Sequence, residues 1–473
     1  MQGNALRIEW EDVLPAERCS YVLGNPPFVG SKLLSQAQRG DADHAFGGIP
    51  GAGLLDFVAA WYVKSMRFMH CADGALARPS CAFVSTNSIT QGEQVVLLWS
   101  WLLAQGARIR FAHRTFQWSN EARGVAAVHC VIVGFGLDDC AQKVIYEYGD
   151  IRGQAHAVPA TRINPYLFDA PDVLAVGQAT PICRVSAIVN GSIPADGGHL
   201  LLSPAEQLEL LRLEPQAKAF LRRYVGAEDF IHGLVRYCLW LVDCPPTLLR
   251  QMPRVVERVR AVKAMREAST KAATRHKAEA ASLFTENRQP ASGDYLAVPR
   301  TSSETRRYLP IGFLPHTTIA ANDLQIVPGA TRYEFGVLSS AMHMAWVRTT
   351  AGRLKSDLRY STKYTYNTFP WPDAPTDKQR LAIEAAAQSV LDARAAFVGA
   401  TLADLYDPLA MPPPLLKAHH QLDAAVDAAY GHRGFKTDSQ RVAFLFELYQ
   451  LTTSLLPAEP ATRARRARVS PPP

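Results

Sequence analysis

The chain has 473 residues, of which 48% are hydrophobic, so it is long enough for two or three globular domains and too apolar for a disordered protein. Its formal net charge of +7 favours a polyanionic partner without identifying one. Eight scattered cysteines without zinc-ligand spacing argue against a disulfide framework, and no apolar run approaches the length of a membrane span. We therefore expect a cytoplasmic protein that does not associate with membranes.

The first informative element is a short apolar strand, Tyr21–Gly24, that leads directly into Asn25-Pro26-Pro27-Phe28. The exocyclic amine of a nucleobase is a poor nucleophile because its lone pair is delocalised into the ring, so two acceptors must hold its hydrogens. The side-chain oxygen of Asn25 and the carbonyl of Pro26 can do this, because a proline pair has no N–H to compete and stiffens the turn. Phe28 offers a flat apolar face to a base that is flipped out of its duplex. The tetrapeptide predicts amino-methylation of a base, and the alternative is an ordinary Asn-Pro turn that ends a strand.

Strands and helices alternate through residues 1–150, which is typical of an α/β fold. The hydrophobic periodicity predicts an amphipathic helix at Leu54–His70 and a buried strand at Cys81–Ser85. Two further strands, Arg108–Ala112 and Ala126–Phe135, are predicted to pair across the loop between them.

Two aromatic residues, Phe116 and Trp118, alternate in the polar segment 115–122 between the last two predicted strands. They could stack on a flipped base from the side opposite Phe28. On spacing alone, the better interpretation is that both side chains finish the strand and pack into the core.

Residues 151–375 are richer in proline, isolated strands and basic clusters, which predicts a separate domain of mixed α+β structure. The segment Arg250–Glu279 predicts one long helix whose excess of Lys and Arg is either a solvated face or a contact with nucleic-acid phosphates. Basic residues that punctuate strand-and-turn sequence are candidates for contacts in a DNA groove: Arg306, Arg307, Arg348, Arg353, Lys355 and Arg359. Ion pairs with Glu304 and Asp357 are the alternative for Arg306 and Arg359.

The last part of the chain, residues 376–458, predicts a small helical cap. One helix is expected to start near Leu415, after a proline-rich linker, and another covers Val442–Leu451. Residues 459–473 are basic and proline-rich and are expected to be a disordered tail. His343, between two methionines, has no second ligand three or four residues away, so we expect an apolar helix face and no metal site.

Several segments in the same order resemble the MmeI-like type IIL restriction-modification enzymes. Those similar to the methyltransferase part of that family are Gly3–Arg7, Gly24–Gly30, Leu55–Tyr62, Phe83–Ile89 and Phe111–Phe135. Those similar to its target-recognition domain are Ser303–Tyr308, Ser340–Trp346, Gly352–Ser361 and Phe369–Pro372. The segments cover nearly the whole chain, which is far more specific than one tetrapeptide.

The resemblance implies that residues 1–150 form the second half of a Rossmann-like class I methyltransferase sheet, followed by the target-recognition domain and the helical cap. It implies S-adenosylmethionine as the methyl donor, double-stranded DNA as the partner and adenine N6 as the acceptor, although the turn would serve cytosine N4 equally. It places Asn4 and Asn25 near the cofactor. For Phe116, it slightly favours stacking on the base over packing into the core. Asn4 could equally cap a turn.

The beginning of the sequence departs from the pattern of the family. The nuclease, the helical connector and the glycine-rich cofactor loop of full-length members have no counterpart before Asn25. We therefore expect an N-terminally truncated methyltransferase with an incomplete cofactor site and an uncovered strand edge. The alternatives are a non-catalytic DNA-recognition module and one half of a split enzyme that a separate N-terminal polypeptide completes.

Overall fold

The computed structural model describes residues 3–74, 78–118, 128–354, 356–432 and 434–454. Its first region is a six-stranded sheet with helices packed against it. The elements are α1 (Trp10–Val13), β1 (Tyr21–Gly24), α2 (Gln36–Phe46), α3 (Ala59–His70), β2 (Ser80–Thr86), α4 (Gly92–Ala104), β3 (Arg108–Trp118), β4 (Val128–Gly136), β5 (Lys143–Tyr148) and β6 (Ala155–Ala160). This arrangement confirms the α/β fold class.

The strand order of this sheet is β1-β2-β4-β3-β5-β6. Strand β1 is parallel to β2, whereas β4 is antiparallel to both β2 and β3. The pairing of the two predicted strands across their loop is therefore confirmed. Strand β1 lies at one edge, and its side chains Tyr21 and Leu23 are 72% and 73% exposed.

The core beside β2 is built from aromatic side chains of α3, α4 and β4. The rings of Tyr62 and Phe135 stack at 5.2 Å, and Phe83 and Trp99 surround them. The hydroxyl of Tyr62 shares a hydrogen bond of 2.8 Å with the hydroxyl of Ser85. These contacts fix α3 against the strand that neighbours the Asn25 turn.

The helix predicted at Leu54–His70 begins later than expected, at Ala59. A 3₁₀ turn covers Ala52–Leu54, and Leu55 after it is extended. The Asp56 side chain accepts hydrogen bonds from Ser31 and Ser88 in two other segments, and the chain turns at this residue before the helix starts.

The second region contains three small sheets. Its strands are β7 (Val189–Asn190), β8 (Leu201–Leu202), β9 (Leu221–Val225), β10 (Arg236–Leu239), β11 (Asp294–Pro299), β12 (Thr301–Ser302), β13 (Gly312–Pro315), β14 (Thr318–Ala320), β15 (Leu324–Pro328), β16 (Gly352–Leu354) and β17 (Asp357–Arg359). The strand orders of the three sheets are β14-β9-β10-β8, β13-β11-β15-β7 and β12-β17-β16. Its helices are α5 (Pro204–Leu213), α6 (Ala227–His232), α7 (Pro246–Arg250), α8 (Pro253–Glu267), α9 (Ala272–Arg275), α10 (Arg332–Leu338) and α11 (Ala341–Thr350). A π-helical turn covers Thr362–Tyr366.

The prediction of one long helix at Arg250–Glu279 is wrong. Helix α8 begins at Pro253, whose missing N–H suits the start of a helix, but it ends at Glu267, and the short α9 follows at Ala272. The chain after α8 folds back on it, because Arg266 binds the carbonyls of Lys277, Ala280 and Leu283. Arg266 is fully buried and donates five hydrogen bonds of 2.8–3.0 Å to backbone carbonyls. Arg266 therefore stabilises the fold of this segment. It is neither on a solvated face nor available to contact a phosphate.

The last region consists of helices α12 (Asp377–Ala395), α13 (Leu402–Leu405), α14 (Pro413–Ala429) and α15 (Asp438–Thr453). The two predicted helices of the cap are confirmed: α14 begins two residues before Leu415, and α15 extends beyond both ends of Val442–Leu451. One apolar core runs from Leu6 in the first region to Tyr449 in α15, and a second core fills the lobe formed by β8–β10 and α5–α8. The predicted basic tail lies outside the described residues. No helix among the described residues is long and apolar enough to cross a membrane.

Candidate functional site

The carboxyl ends of β1, β2 and β3 meet at one edge of the first sheet. Gly24 at the end of β1 pairs with Phe83 of β2. Three residues further along β2, Thr86 pairs with Cys130 of β4, which also pairs with Phe116 near the end of β3. The Asn25 turn leaves the sheet at this edge, so it faces the same side as the end of β3.

The Asn25 turn combines one buried and two exposed positions. Pro26 is buried, Asn25 and Pro27 are exposed, and Phe28 is half-buried. Among the described residues, the Asn25 side chain has no hydrogen-bond partner and the Phe28 ring has no aromatic neighbour. The turn therefore presents an unused amide and an unused apolar face at the edge where the strands end.

The segment after the turn is held by Asp56, which is 9% exposed. One carboxylate oxygen accepts hydrogen bonds from the Ser31 N–H and the Gln94 amide, both at 3.1 Å. The other oxygen accepts from the hydroxyls of Ser88 at 2.5 Å and Thr86 at 3.4 Å. The Asp56 carboxylate therefore joins the segment after the Asn25 turn to the end of β2 and to α4.

The first turn of α4 contacts two parts of the molecule at once. Gln94 binds Asp56 through both its amide oxygen and its amide nitrogen. The preceding residues face the second region, where Gln91 accepts a hydrogen bond of 2.9 Å from Arg353 and Glu93 accepts one of 2.9 Å from the Tyr364 hydroxyl. Between them, Gly92 lies close to Gly352. A Cβ added to Gly92 would stand 3.0 Å from the Cα of Gly352.

Phe116 and Trp118 belong to strand β3, and the expected loop at 115–122 begins later than predicted. The half-buried ring of Phe116 stacks on Tyr148 at 5.3 Å. Three strand spacings, about 14 Å, separate the axes of β1 and β3. Both residues finish the strand, as spacing alone favoured, but neither is part of the core: Phe116 is half-buried and Trp118 is 38% exposed. Stacking of Phe116 on a base stays a prediction.

Asn4 is bound within its own segment. Its side-chain oxygen accepts a hydrogen bond of 3.0 Å from the Leu6 N–H, and its amide donates at 2.7 Å to Asp41. Arg7 also binds Asp41 at 2.6 Å, and that hydrogen bond lowers the pKa of the Asp41 carboxyl. Asn4 therefore caps a turn and binds Asp41, and its contact with a cofactor stays a prediction.

Three of the arginines proposed for DNA contact lie inside polar networks. Arg353 binds Glu304 at 3.1 Å, and burial lowers the pKa of its guanidinium. Arg348 binds Asp438 at 2.6 Å and the carbonyl of Arg306 at 3.1 Å. The Arg306 guanidinium donates to Ser302, and burial lowers its pKa too. The expected pairing of Glu304 with Arg306 is replaced by its pairing with Arg353.

Arg307 and Arg359 are exposed and form no ion pair within the described part of the chain. Arg359 lies in β17 beside β12, and Arg307 follows the turn after β12. Lys355, the remaining basic candidate, lies outside the described residues.

His343 is fully buried in α11, where it shares a hydrogen bond of 2.9 Å with the Tyr360 hydroxyl and packs edge-on against Phe369. Burial lowers the pKa of His343 to about 3, so its ring is neutral at physiological pH. The described residues contain no cluster of three or more His, Cys, Asp or Glu side chains that could hold a metal ion.

Asp56 and Gln94 were missed by the sequence reasoning. The signal for Asp56 was a single carboxylate within the apolar run Leu54–Trp61. A lone buried charge needs partners, but those partners lie 25 to 38 residues away along the chain. Spacing therefore could not identify them.

Comparisons with known proteins cover almost the whole chain. The family model of the MmeI DNA-methyltransferase domain matches residues 1–147, that of the MmeI target recognition domain matches 169–373, and that of the MmeI C-terminal domain matches 375–457. The DNA methyltransferase A of Bacillus subtilis (strain 168) is 37% identical over 454 residues. The alignment includes 95% of this chain and 50% of that protein, so the chain spans about half the length of its curated relative.

A solved structure, that of the type IIL restriction-modification enzyme MmeI in complex with DNA, is similar in both sequence and fold. The sequence identity is 47% and the TM-score is 0.84. The match covers 96% of this chain and 60% of the MmeI chain.

Proposed function

Because this chain belongs to the MmeI family, with its methyltransferase, target-recognition and C-terminal domains in order, we propose that it methylates adenine N6 in double-stranded DNA. The methyl donor in this proposal is S-adenosylmethionine, and the setting is a restriction-modification system. The observation that carries the proposal is the Asn25 turn at the end of β1, where the exposed Asn25 amide has no hydrogen-bond partner and the half-buried Phe28 ring has no aromatic neighbour among the described residues.

Asn25 and Pro26 orient the reacting amine in the proposed reaction. The Asn25 side-chain oxygen and the Pro26 carbonyl accept the two amine hydrogens, which favours a pyramidal nitrogen whose lone pair is less delocalised into the ring. Pro27 keeps the turn stiff, and Phe28 stacks on the extruded base. Orientation of this kind supplies much of the rate because the amine approaches the methyl carbon in line.

The donor supplies an electrophilic methyl carbon on a sulfonium and a neutral thioether as leaving group. The amine nitrogen forms a bond to that carbon, the carbon–sulfur bond breaks with its electron pair on sulfur, and one amine proton leaves to solvent. Asn25 fits the reacting end of the donor because its amide is exposed and unbonded. Asn4 caps a turn and binds Asp41, so its proposed contact with the donor would use the second N–H of its amide.

The second region is proposed to bind the target DNA. Arg307 and Arg359 are exposed on or beside the short sheet β12-β17-β16, and that sheet contacts α4 next to the catalytic edge. A duplex bound there would lie close to the Asn25 turn. Arginine suits this surface because its planar guanidinium binds phosphates and guanine edges.

The test compares Asn25→Ala with the unchanged chain. Each protein is incubated with radiolabelled S-adenosylmethionine and duplex DNA, and the methylated nucleosides are identified by mass spectrometry. We expect the substitution to lower methyl transfer by about 100-fold or more, because the amine loses one of its two acceptors. DNA binding should be unchanged.

The control is Asn287→Ala, which removes an exposed asparagine from a turn in the second region. It should leave methyl transfer unchanged. If the unchanged chain binds DNA but transfers no methyl group, the proposal fails and a DNA-recognition module remains. Methylcytosine in place of N6-methyladenine would contradict the adenine assignment alone.

A further inference from the structure

We infer that Asp56 is a positioning residue that fixes the catalytic turn. We also infer that Gln94, in the first turn of α4, holds Asp56 in place. The inference rests on the proposed function, because it assigns Asp56 a role in holding Asn25–Phe28 in a reactive geometry. Asp56 touches no part of the tetrapeptide itself in the described contacts. It acts through the segment that follows.

Residues 56 and 57 form hydrogen bonds with the chain directly after Phe28. The Phe57 N–H donates to the Val29 carbonyl at 2.9 Å, and the Ser31 N–H donates to the Asp56 carboxylate at 3.1 Å. Strand β1 holds the other side of the turn through its parallel pairing with β2. The tetrapeptide is therefore held at both ends, and two side chains bind Ser31 after it: the Ser31 N–H donates to Asp56, and the Ser31 carbonyl accepts a hydrogen bond of 3.0 Å from Arg39.

The cost of burying Asp56 indicates that its charge has a purpose. A carboxylate that is 9% exposed loses most of its hydration, and the described residues include no Lys, Arg or His that forms an ion pair with it. Four hydrogen-bond donors replace that hydration: a backbone N–H, an amide and two hydroxyls. Such a set restricts direction more than an apolar contact would, which suits a residue that fixes geometry.

Gln94 holds Asp56 in turn. Its amide accepts from the Asp56 N–H at 3.0 Å and donates to the Asp56 carboxylate at 3.1 Å. Gln94 lies in the first turn of α4, where Gln91, Gly92 and Glu93 contact the second region. The catalytic turn and the DNA-recognition region are therefore held by the same four consecutive residues.

The experiment compares Asp56→Ala and Asp56→Asn with the unchanged chain. We expect Asp56→Ala to lower kcat by about 100-fold, because a small misplacement of a reacting group has an effect of this size. Asp56→Asn should retain much more activity, since its oxygen still accepts from Ser31 while the hydroxyls of Thr86 and Ser88 can turn to accept from its amide. The KM for DNA should not change in either variant.

The control is Asp169→Ala. Asp169 also accepts three hydrogen bonds, from Thr161 and Arg162, but it lies in a different segment and is exposed. It should leave kcat unchanged. If Asp56→Ala and Asp169→Ala have the same effect, or if Asp56→Asn is as impaired as Asp56→Ala, the positioning role is wrong.

A second measurement does not depend on activity. Hydrogen exchange at the Ser31 N–H should become faster in Asp56→Ala and stay slow in Asp169→Ala, because only the first variant removes the acceptor of that N–H. An unchanged rate would overturn the inference. If the unchanged chain transfers no methyl group, the proposed function fails, and the exchange experiment still decides whether Asp56 holds the segment.

Discussion

Arginines with similar sequence surroundings have different environments in the folded chain. Arg307 is exposed and forms no ion pair among the described residues, whereas the side chain of Arg353 is 18% exposed and binds Glu304 and Gln91. An arginine that contacts phosphate contributes to the salt dependence of DNA binding, and a buried one contributes to stability. Burial therefore distinguishes two roles that the sequence assigned together.

We expect Arg307→Ala to weaken DNA binding and to reduce the slope of log affinity against log salt concentration by about 1. Arg353→Ala should instead lower the free energy of unfolding by about 1–3 kcal/mol, because Glu304 and Gln91 lose a charged partner. Titrations at several salt concentrations and denaturant unfolding measure the two effects. Equal changes of the salt slope in both variants would show that Arg353 also contacts DNA.

At the scale of elements, the first turn of α4, a helix packed against the first sheet, contacts strand β16. Gly92 has φ of +56°, and its nearest neighbour across the contact is the backbone of Gly352. A side chain at position 92 would meet that backbone at 3.0 Å and would also be strained by the left-handed conformation. Glycine is therefore required there for two reasons at once.

We predict that Gly92→Ala lowers the free energy of unfolding by more than about 1 kcal/mol, because the left-handed conformation penalises any Cβ. It should also speed hydrogen exchange in β16, because the two elements must separate. The matched control is Gly329→Ala, where φ is +67° but an added Cβ meets nothing within 4 Å. If the two variants exchange alike in β16, the contact with Gly352 does not hold the elements together.

At the scale of the whole molecule, helix α15 from the last region is bonded to the first sheet. Arg114 in β3 binds Glu147 in β5 at 2.8 Å and Ser439 in α15 at 2.9 Å, and its guanidinium lies 3.9 Å from the centre of the Phe168 ring. One apolar core includes residues of the first sheet, of α10 and α11, and of the last helices. The three regions therefore stabilise one another.

Replacing Arg114 by alanine should loosen α15 from the sheet. We expect a loss of about 1–2 kcal/mol in the free energy of unfolding, because a half-buried charged hydrogen bond is lost, and faster hydrogen exchange at the start of α15. Arg152→Ala is the control, because Arg152 is exposed and, among the described residues, its side chain binds only Gln117. Unchanged exchange in α15 would show that the apolar core alone holds the helix.

The sequence by itself determined the features that depend on neighbouring residues. The strand before Asn25, the strand Cys81–Ser85, the paired strands after it and the two helices of the cap all follow from hydrophobic periodicity and from proline positions, and the structure confirms them. The chemistry of the Asn25 turn is also local, because all its parts lie within four residues.

Only the tertiary structure decided how the polar side chains are used. Arg353 binds a residue 262 positions earlier, and Arg114 binds one 325 positions later. The role of Asp56 likewise depends on partners from three separate segments. The physical reason is that the effect of a charge depends on its burial and on which donors or acceptors surround it, and folding brings those groups together from distant parts of the chain.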